Sequence, residues 1–389
     1  MTLIPDADLD PRQQGGRADL VLVLTFVALS LIGLVMIFSA SAPRLEAAGL
    51  SRTDQVFRQA VFMVVGGVVF LVASSISDRN WRLLTPYAYL GTLVLLAVVL
   101  TPIGYAPTGA QRWIDFGFSN LQPSELAKPA VILGIAVILA PPEETGASPV
   151  SWGRVAKVLA LVAVPSVLIF RQPDLGTMLV FGFVTAIMLY VAGTSVRQIV
   201  LLGALGLVLI VAAFELNILE EYQLDRLTGF LNAGEQTLDL NYNQNQSQIA
   251  ISAGGLFGRG LFEGSQTNLA FVPAQTTDFI FTAVAEQLGF AGGAVVLGLF
   301  TVLMWRLFMI SLAARDRFGR LVSVGVAAMT GFHVFVNVGM TVGLLPVTGL
   351  PLPMLSFGGS FFLSMSLTLG LAHSVWLRRS PVPGERQLT

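Results

Sequence analysis

The chain has 389 residues, of which 54% are hydrophobic and only 12% charged, against about 25% charged in soluble domains. Its mean hydropathy is +0.76 and its formal net charge is −1. A soluble enzyme, a disordered chain and a nucleic-acid binder are excluded: no soluble core hides that much apolar surface, and no basic excess is present to meet phosphates.

The apolar residues come in unbroken runs, not in the alternating pattern of a membrane barrel, so the fold class is an all-α polytopic membrane protein. With no cysteine, disulfides, thiol catalysis and cysteine metal sites fall away. The two histidines, His333 and His373, cannot make a zinc site unaided. Ten runs are near the length of roughly 20 residues that a spanning helix needs. They lie at about 20–40, 59–76, 84–103, 124–140, 155–170, 175–193, 198–216, 279–304, 321–345 and 355–377. Residues 1–19 form a tail, 20–377 the membrane domain and 378–389 a second tail. The first run is too long, and lacks the small-residue site, for a cleaved signal. Placing both tails in the cytoplasm puts most of the 22 Lys and Arg on that side, as the positive-inside rule demands. The expected topology is therefore N-in, C-in.

With that orientation the unusual residues collect on the extracytoplasmic face. The loop after the third run carries Arg112, Trp113 and Asp115, then Gln122-Pro-Ser-Glu-Leu-Ala-Lys128. Glu125 and Lys128 are three apart and share one face of the fourth helix. They read equally as a structural ion pair or as cavity residues, with Ser124 as the helix cap. Arg171 and Asp174 open the sixth helix: Asp174 stands where an N-cap belongs, and Arg171 pairs with it or meets a lipid phosphate. A large loop, 217–277, follows, far beyond the usual ~12–15 residues. It holds Arg226, Gly254-Gly-Leu-Phe-Gly-Arg-Gly260, Ser265, Gln266 and Thr277. The glycines are no P-loop, because the Gly-Lys-Ser/Thr ending is missing.

Asp278 precedes the eighth run. It is either that helix's N-cap or a carboxylate at the membrane lip, placed to accept a proton. Glu286 lies eight residues deeper, an intramembrane acid and so a functional candidate, or a partner for a helix polar group. His333 and Asn337 suit an interhelical hydrogen bond. The Pro-Gly stretch 346–360, with Ser356, reads as a broken or re-entrant segment, tolerated only against protein or a wet cavity, or as a plain turn.

These residues resemble the SEDS family (shape, elongation, division and sporulation) over about 20–377. The likeness rests on Gly109-Ala-Gln-Arg-Trp113, Gln122–Lys128, Arg171-Gln-Pro-Asp-Leu-Gly-Thr177, Gly254–Gly260, Gly264-Ser-Gln266, Thr277-Asp-Phe-Ile-Phe281 with Ala285-Glu-Gln-Leu-Gly289, and Leu345-Pro-Val-Thr-Gly-Leu-Pro351 with Ser356-Phe-Gly-Gly-Ser360. The short tails and overall pattern fall nearer its RodA branch than its FtsW branch. The resemblance implies a ten-helix peptidoglycan glycosyltransferase that polymerises lipid II into a nascent glycan strand during elongation, beside a class B penicillin-binding protein that cross-links it. The family's essential aspartate corresponds to Asp278, and further family positions to Arg112, Trp113, Glu125, Lys128 and Asp174. Members often carry Glu-x-His-Thr-Asp before the eighth helix. Here the run is Ala274-Gln-Thr-Thr-Asp278, so the glutamate and histidine are not required groups in this chain.

The chemistry these residues allow is inverting glycosyl transfer, with Asp278 as general base on the acceptor's 4-hydroxyl. Arg112, Arg171 or Arg226 would steady the departing diphosphate, as would a divalent cation (Mg2+ or Mn2+) held at Asp278. No organic cofactor is called for. Two other classes compete: a lipid II flippase, which should show a charged path through the membrane and related halves, and a non-catalytic scaffold of the wall-synthesis complex.

Overall fold

The computed structural model describes residues 16–106, 110–141, 150–216, 224 and 242–379. Arg226, Asn241 and Thr108, most of both tails and the first part of the 217–277 loop lie outside them. All ten predicted runs fall on helices. These are α1 (Leu20–Ala47), α2 (Asp54–Ser75), α3 (Asp78–Val99), α4 (Pro123–Leu139), α5 (Trp152–Phe170), α6 (Leu175–Val191), α7 (Val196–Glu215), α10 (Ile280–Ala313), α11 (Arg317–Thr341) and α12 (Gly359–Leu377). Between α7 and α10 stand α8 (Tyr242–Gly254) and the single turn α9 (Ser265–Asn268). Among the described residues, eight helices are long and apolar enough to cross a membrane. Of the other two long apolar runs, α4 and α6 each have 17 residues.

Short polar residues start several helices where the backbone has orphan N–H groups. Ser77 accepts from Asn80, Asp174 from Thr177 and Asp316 from Gly319. Asp19 caps α1, and its carboxylate also receives Arg306 of α10. The Trp376 ring of α12 lies against the same guanidinium. That cluster ties three helices together at the end predicted to be cytoplasmic. At the centre, α4 is buried almost all round, enclosed by α3, α5, α6, α11 and α12, while α2 makes its main contact with α12.

Three features add to or correct the sequence reading. In the loop after α3, β1 (Gly104–Tyr105), β2 (Trp113–Asp115) and β3 (Asn120–Leu121) form a small antiparallel sheet in the order β1-β2-β3. Ser124 is not the cap of α4. Gln122 is, because Pro123 occupies the first helical position, where its missing N–H costs nothing. Third, the eighth span is not continuous, since α10 breaks at Gly289, with φ +67° and ψ −166°. The half-helix before the break is buried from Ile280 to Gln287.

A side chain at 289 is excluded twice over. Its φ suits glycine, and a Cβ would stand 2.3 Å from the Gly258 nitrogen. Gly289→Ala should therefore cost at least the roughly 1–3 kcal/mol of a strained backbone. A lower apparent unfolding temperature in detergent checks this, with Gly298→Ala, where a Cβ meets nothing, as the control.

Candidate functional site

Segments far apart in sequence meet at the end of the bundle predicted to face outward. Glu125 in the first turn of α4 and Lys128 in the second are both buried. The Lys128 ammonium donates to both Glu125 oxygens, at 2.7 and 2.9 Å. It lies 3.4 Å from His333 Nε2 and faces the Phe361 ring. The other His333 nitrogen is 3.1 Å from the Pro351 carbonyl. One turn along α11, the Asn337 amide donates to the carbonyls of Asp278, at 2.7 Å, and Leu350, at 2.8 Å. A continuous path of contacts thus leads from the buried ion pair to Asp278.

The stretch between α11 and α12 is the bracket in this path. Residues 346–358 are non-helical, yet Leu350, Leu352, Met354, Leu355 and Ser356 are buried. This matches the expected broken segment lying against protein, not a plain surface turn. Ser356 spends its hydroxyl on the segment itself, accepting from Leu352 N at 2.8 Å. Phe357 N donates to Thr276 O at 2.8 Å, which fastens the bracket to the turn carrying Asp278.

Asp278 is half-buried, and its N–H donates to Ala274 O within a tight turn. Of the two readings open in the sequence, the capping one is corrected: Phe279, not Asp278, is the N-cap residue of α10, and its side chain makes no cap bond. Thr277 returns its hydroxyl to Ala274 O. Gln275, which sequence reasoning passed over, is buried and donates to Thr267 Oγ1 and Thr282 Oγ1. Its signal was a lone amide inside a motif otherwise read for its acids. Glu286 is fully buried and accepts from Gln266 N, Thr267 N and Thr267 Oγ1 at 2.6–3.0 Å. It holds α9 in place, with Ser265 exposed at the first position of that turn.

The third approach comes from α6 and the small sheet. Asp174 caps α6 through Thr177 N at 3.1 Å. Its second oxygen receives Thr177 Oγ1, Ser124 Oγ and Gln122 Nε2. With its carboxylate so engaged, no Arg171–Asp174 pair forms, and Arg171 is exposed at the end of α5. Arg112 instead braces this corner, donating to the carbonyls of Gln172, at 2.7 Å, and Pro173. Trp113, half-buried in β2, faces Tyr105 across the sheet. Ser360, named in sequence only as the end of a motif, links Gln122 N to Asn120 O, at 2.9 Å each.

The "Cell cycle protein" family profile of FtsW, RodA and SpoVE matches residues 19–380. The chain belongs to that family. The family's relatives include a probable peptidoglycan glycosyltransferase FtsW of Geobacter metallireducens, 36% identical over 94% of this chain and 96% of its own length. Stage V sporulation protein E of Bacillus subtilis is 36% identical over 92% and 96%. Peptidoglycan glycosyltransferase MrdB of Escherichia coli K12 is 34% identical over 93% and 94%. Two solved family structures superpose well. One is a chain from a peptidoglycan synthase complex described for its coordination of polymerization and crosslinking, with TM-score 0.76, 31% identity and coverage of 93% and 98%. The other is rod shape determining protein RodA of Thermus thermophilus, with TM-score 0.68, 29% identity and coverage of 94% and 98%. The family expectation from the sequence is met, and so is that of an enzyme of the glycosyltransferase class.

Proposed function

We propose that this chain polymerises lipid II into glycan strands at the outer face of the cytoplasmic membrane, with Asp278 as the general base. The reading is carried by one observation: the Asn337 amide holds the Asp278 turn and the buried 346–358 bracket together, and His333, one turn away, meets the pair on α4. Polar segments scattered over the chain thereby share one place, as a site for a lipid-linked sugar requires.

In this mechanism the acceptor's 4-hydroxyl attacks the anomeric carbon of the lipid-linked donor. The carbon–oxygen bond to the diphosphate breaks, and the configuration inverts. Asp278 takes the hydroxyl proton as the new bond forms. Arg112, fixed at its corner by two carbonyls, offers positive charge to the leaving diphosphate, which carries its bond energy in and needs no nucleotide. Among the described residues no three His, Cys, Asp or Glu gather. A divalent cation would thus rest on Asp278 and the substrate's own phosphates, a coordination Mg2+ accepts, and would supply further positive charge there.

The prenyl chain needs an apolar seat beside this site. A cavity of ≈ 730 Å³ lies between α3 and α4, lined by Leu90, Val94, Leu126, Pro129 and Leu133, with Leu367 of α12 behind. Leu126 and Pro129 adjoin Glu125 and Lys128 in sequence, so the groove approaches the site along α4. The likeness to RodA supports the elongation role, and the synthase-complex neighbour supports a class B penicillin-binding protein as partner.

Purified protein in vesicles with labelled lipid II tests the reading. Glycan polymer is the expected product. Translocation without polymer would make the chain a flippase, and neither activity would leave a scaffold.

A further inference from the structure

The break in α10 is closed by a strap from the preceding loop. The carbonyls that the first half-helix orphans, Glu286 and Gln287, accept from Arg259 N at 3.0 Å and Gly260 N at 3.1 Å. The N–H groups that the second half orphans, Phe290 and Ala291, donate to Gly255 O at 2.8 Å and Leu256 O at 3.0 Å. Phe262 N adds a bond to Gln287 Oε1 at 2.9 Å, and its ring meets Phe38 of α1 edge-on. The strap is thus fixed to the helix at one level. Its other side is apolar and open: Phe257 is 84% exposed, Phe290 72% and Leu256 67%.

Helix length says what covers it. Arg306 pairs with Asp19 at the start of α1 and lies against Trp376 at the end of α12, so it marks the level at which those two helices reach the predicted cytoplasmic side, while α10 itself runs on to Ala313. From Phe290 to Trp305 there is no charged residue, and that run rises only about 24 Å at 1.5 Å per residue. The hydrocarbon core is ~30 Å thick, so it extends up to the break and past it. Leu256 and Phe257 then lie inside its upper edge. The exposed Arg259, tied to Ala253 O at 2.8 Å, stands beside them, where a guanidinium meets lipid phosphates.

We propose that residues 255–260 are a membrane-surface anchor, seated at the hydrocarbon–headgroup boundary of the leaflet that borders the Asp278 site. The occupant of the patch is the lipid surface itself. The strap is bonded to the half-helix that Asp278 leads into, so the anchor also fixes the depth of that residue against the phosphate plane. This last consequence rests on the function proposed above, whereas the seating in lipid does not.

The chain has no cysteine, so single Phe257→Cys, Leu256→Cys, Val295→Cys and Asp115→Cys variants of the full chain each take one nitroxide label. In lipid nanodiscs, collision with oxygen, which concentrates in hydrocarbon, is compared with collision by a water-soluble nickel chelate. The oxygen-to-nickel ratio at 257 should approach that at Val295, lower on α10, and exceed several-fold that at the exposed Asp115 of β2. Leu256→Cys gives the same reading should Phe257→Cys fail to fold. A nickel-dominated signal at 257 would put the strap in water, and low collision with both probes would put it under protein. Either overturns the anchor. The readout needs no activity, so a failed polymerase assay leaves it standing.

Discussion

Asp278→Asn should reduce lipid II polymerisation to about 10⁻²–10⁻⁴ of the parent rate, the usual cost of losing a general base, without the loss of stability that removing a helix cap brings. The second half of that expectation comes from the structure. Asparagine keeps the size and shape of the side chain. The bond that anchors this turn, from Asn337, goes to the backbone carbonyl of Asp278, which the substitution retains. The cap of α10 is Phe279, without a side-chain bond, so no helix cap is lost. Had Asp278 been the cap, its removal would have cost about 0.5–2 kcal/mol, and lost activity would be confounded with lost fold. Paired measurements of polymer length and of unfolding temperature decide the matter. A well-folded variant that polymerises at the parent rate removes Asp278 from the chemistry.

What the sequence made legible divides along the range of the forces involved. Helices read well because an apolar run of spanning length has few other ways to satisfy its backbone. Asp174 was readable as a cap because capping is local, acting three residues on. The break at Gly289 was not. Phe-Ile-Phe-Thr-Ala-Val on one side and Phe-Ala-Gly-Gly-Ala-Val on the other are equally apolar, and the groups freed by the break are met by residues some thirty positions earlier in the chain. Ser124 was misplaced by a matter of two residues, since Pro123 moves the helix start. The role of Glu286 needed three dimensions too: an intramembrane acid is a fair candidate for chemistry, but here its oxygens hold α9. The positive-inside rule placed the motifs on one face, but did not say which of them touch. The agents that join them, Asn337, His333 and Ser360, are common polar residues whose partners lie far off in sequence.

The Glu125–Lys128 pair gives the largest expected effect on folding. Both side chains are out of solvent, at 5% and 1% exposure, so removing one charge strands the other. Lys128→Met or Glu125→Gln should each cost about 3–5 kcal/mol. The apolar double variant Glu125→Leu/Lys128→Met should recover most of that stability, because two desolvated charges disappear together. The charge-swapped Glu125→Lys/Lys128→Glu should recover only part. Its lysine would stand in the first turn of α4, against the helix dipole. Its carboxylate would face the Phe361 ring, whose negative face now attracts the ammonium. Thermal unfolding of the four variants orders them: parent, then apolar double, then swapped double, then the singles. Single variants that unfold at the parent temperature would show that the two charges are not coupled. Recovery of stability in the apolar double without recovery of polymerisation would show that the pair serves the site as well as the fold.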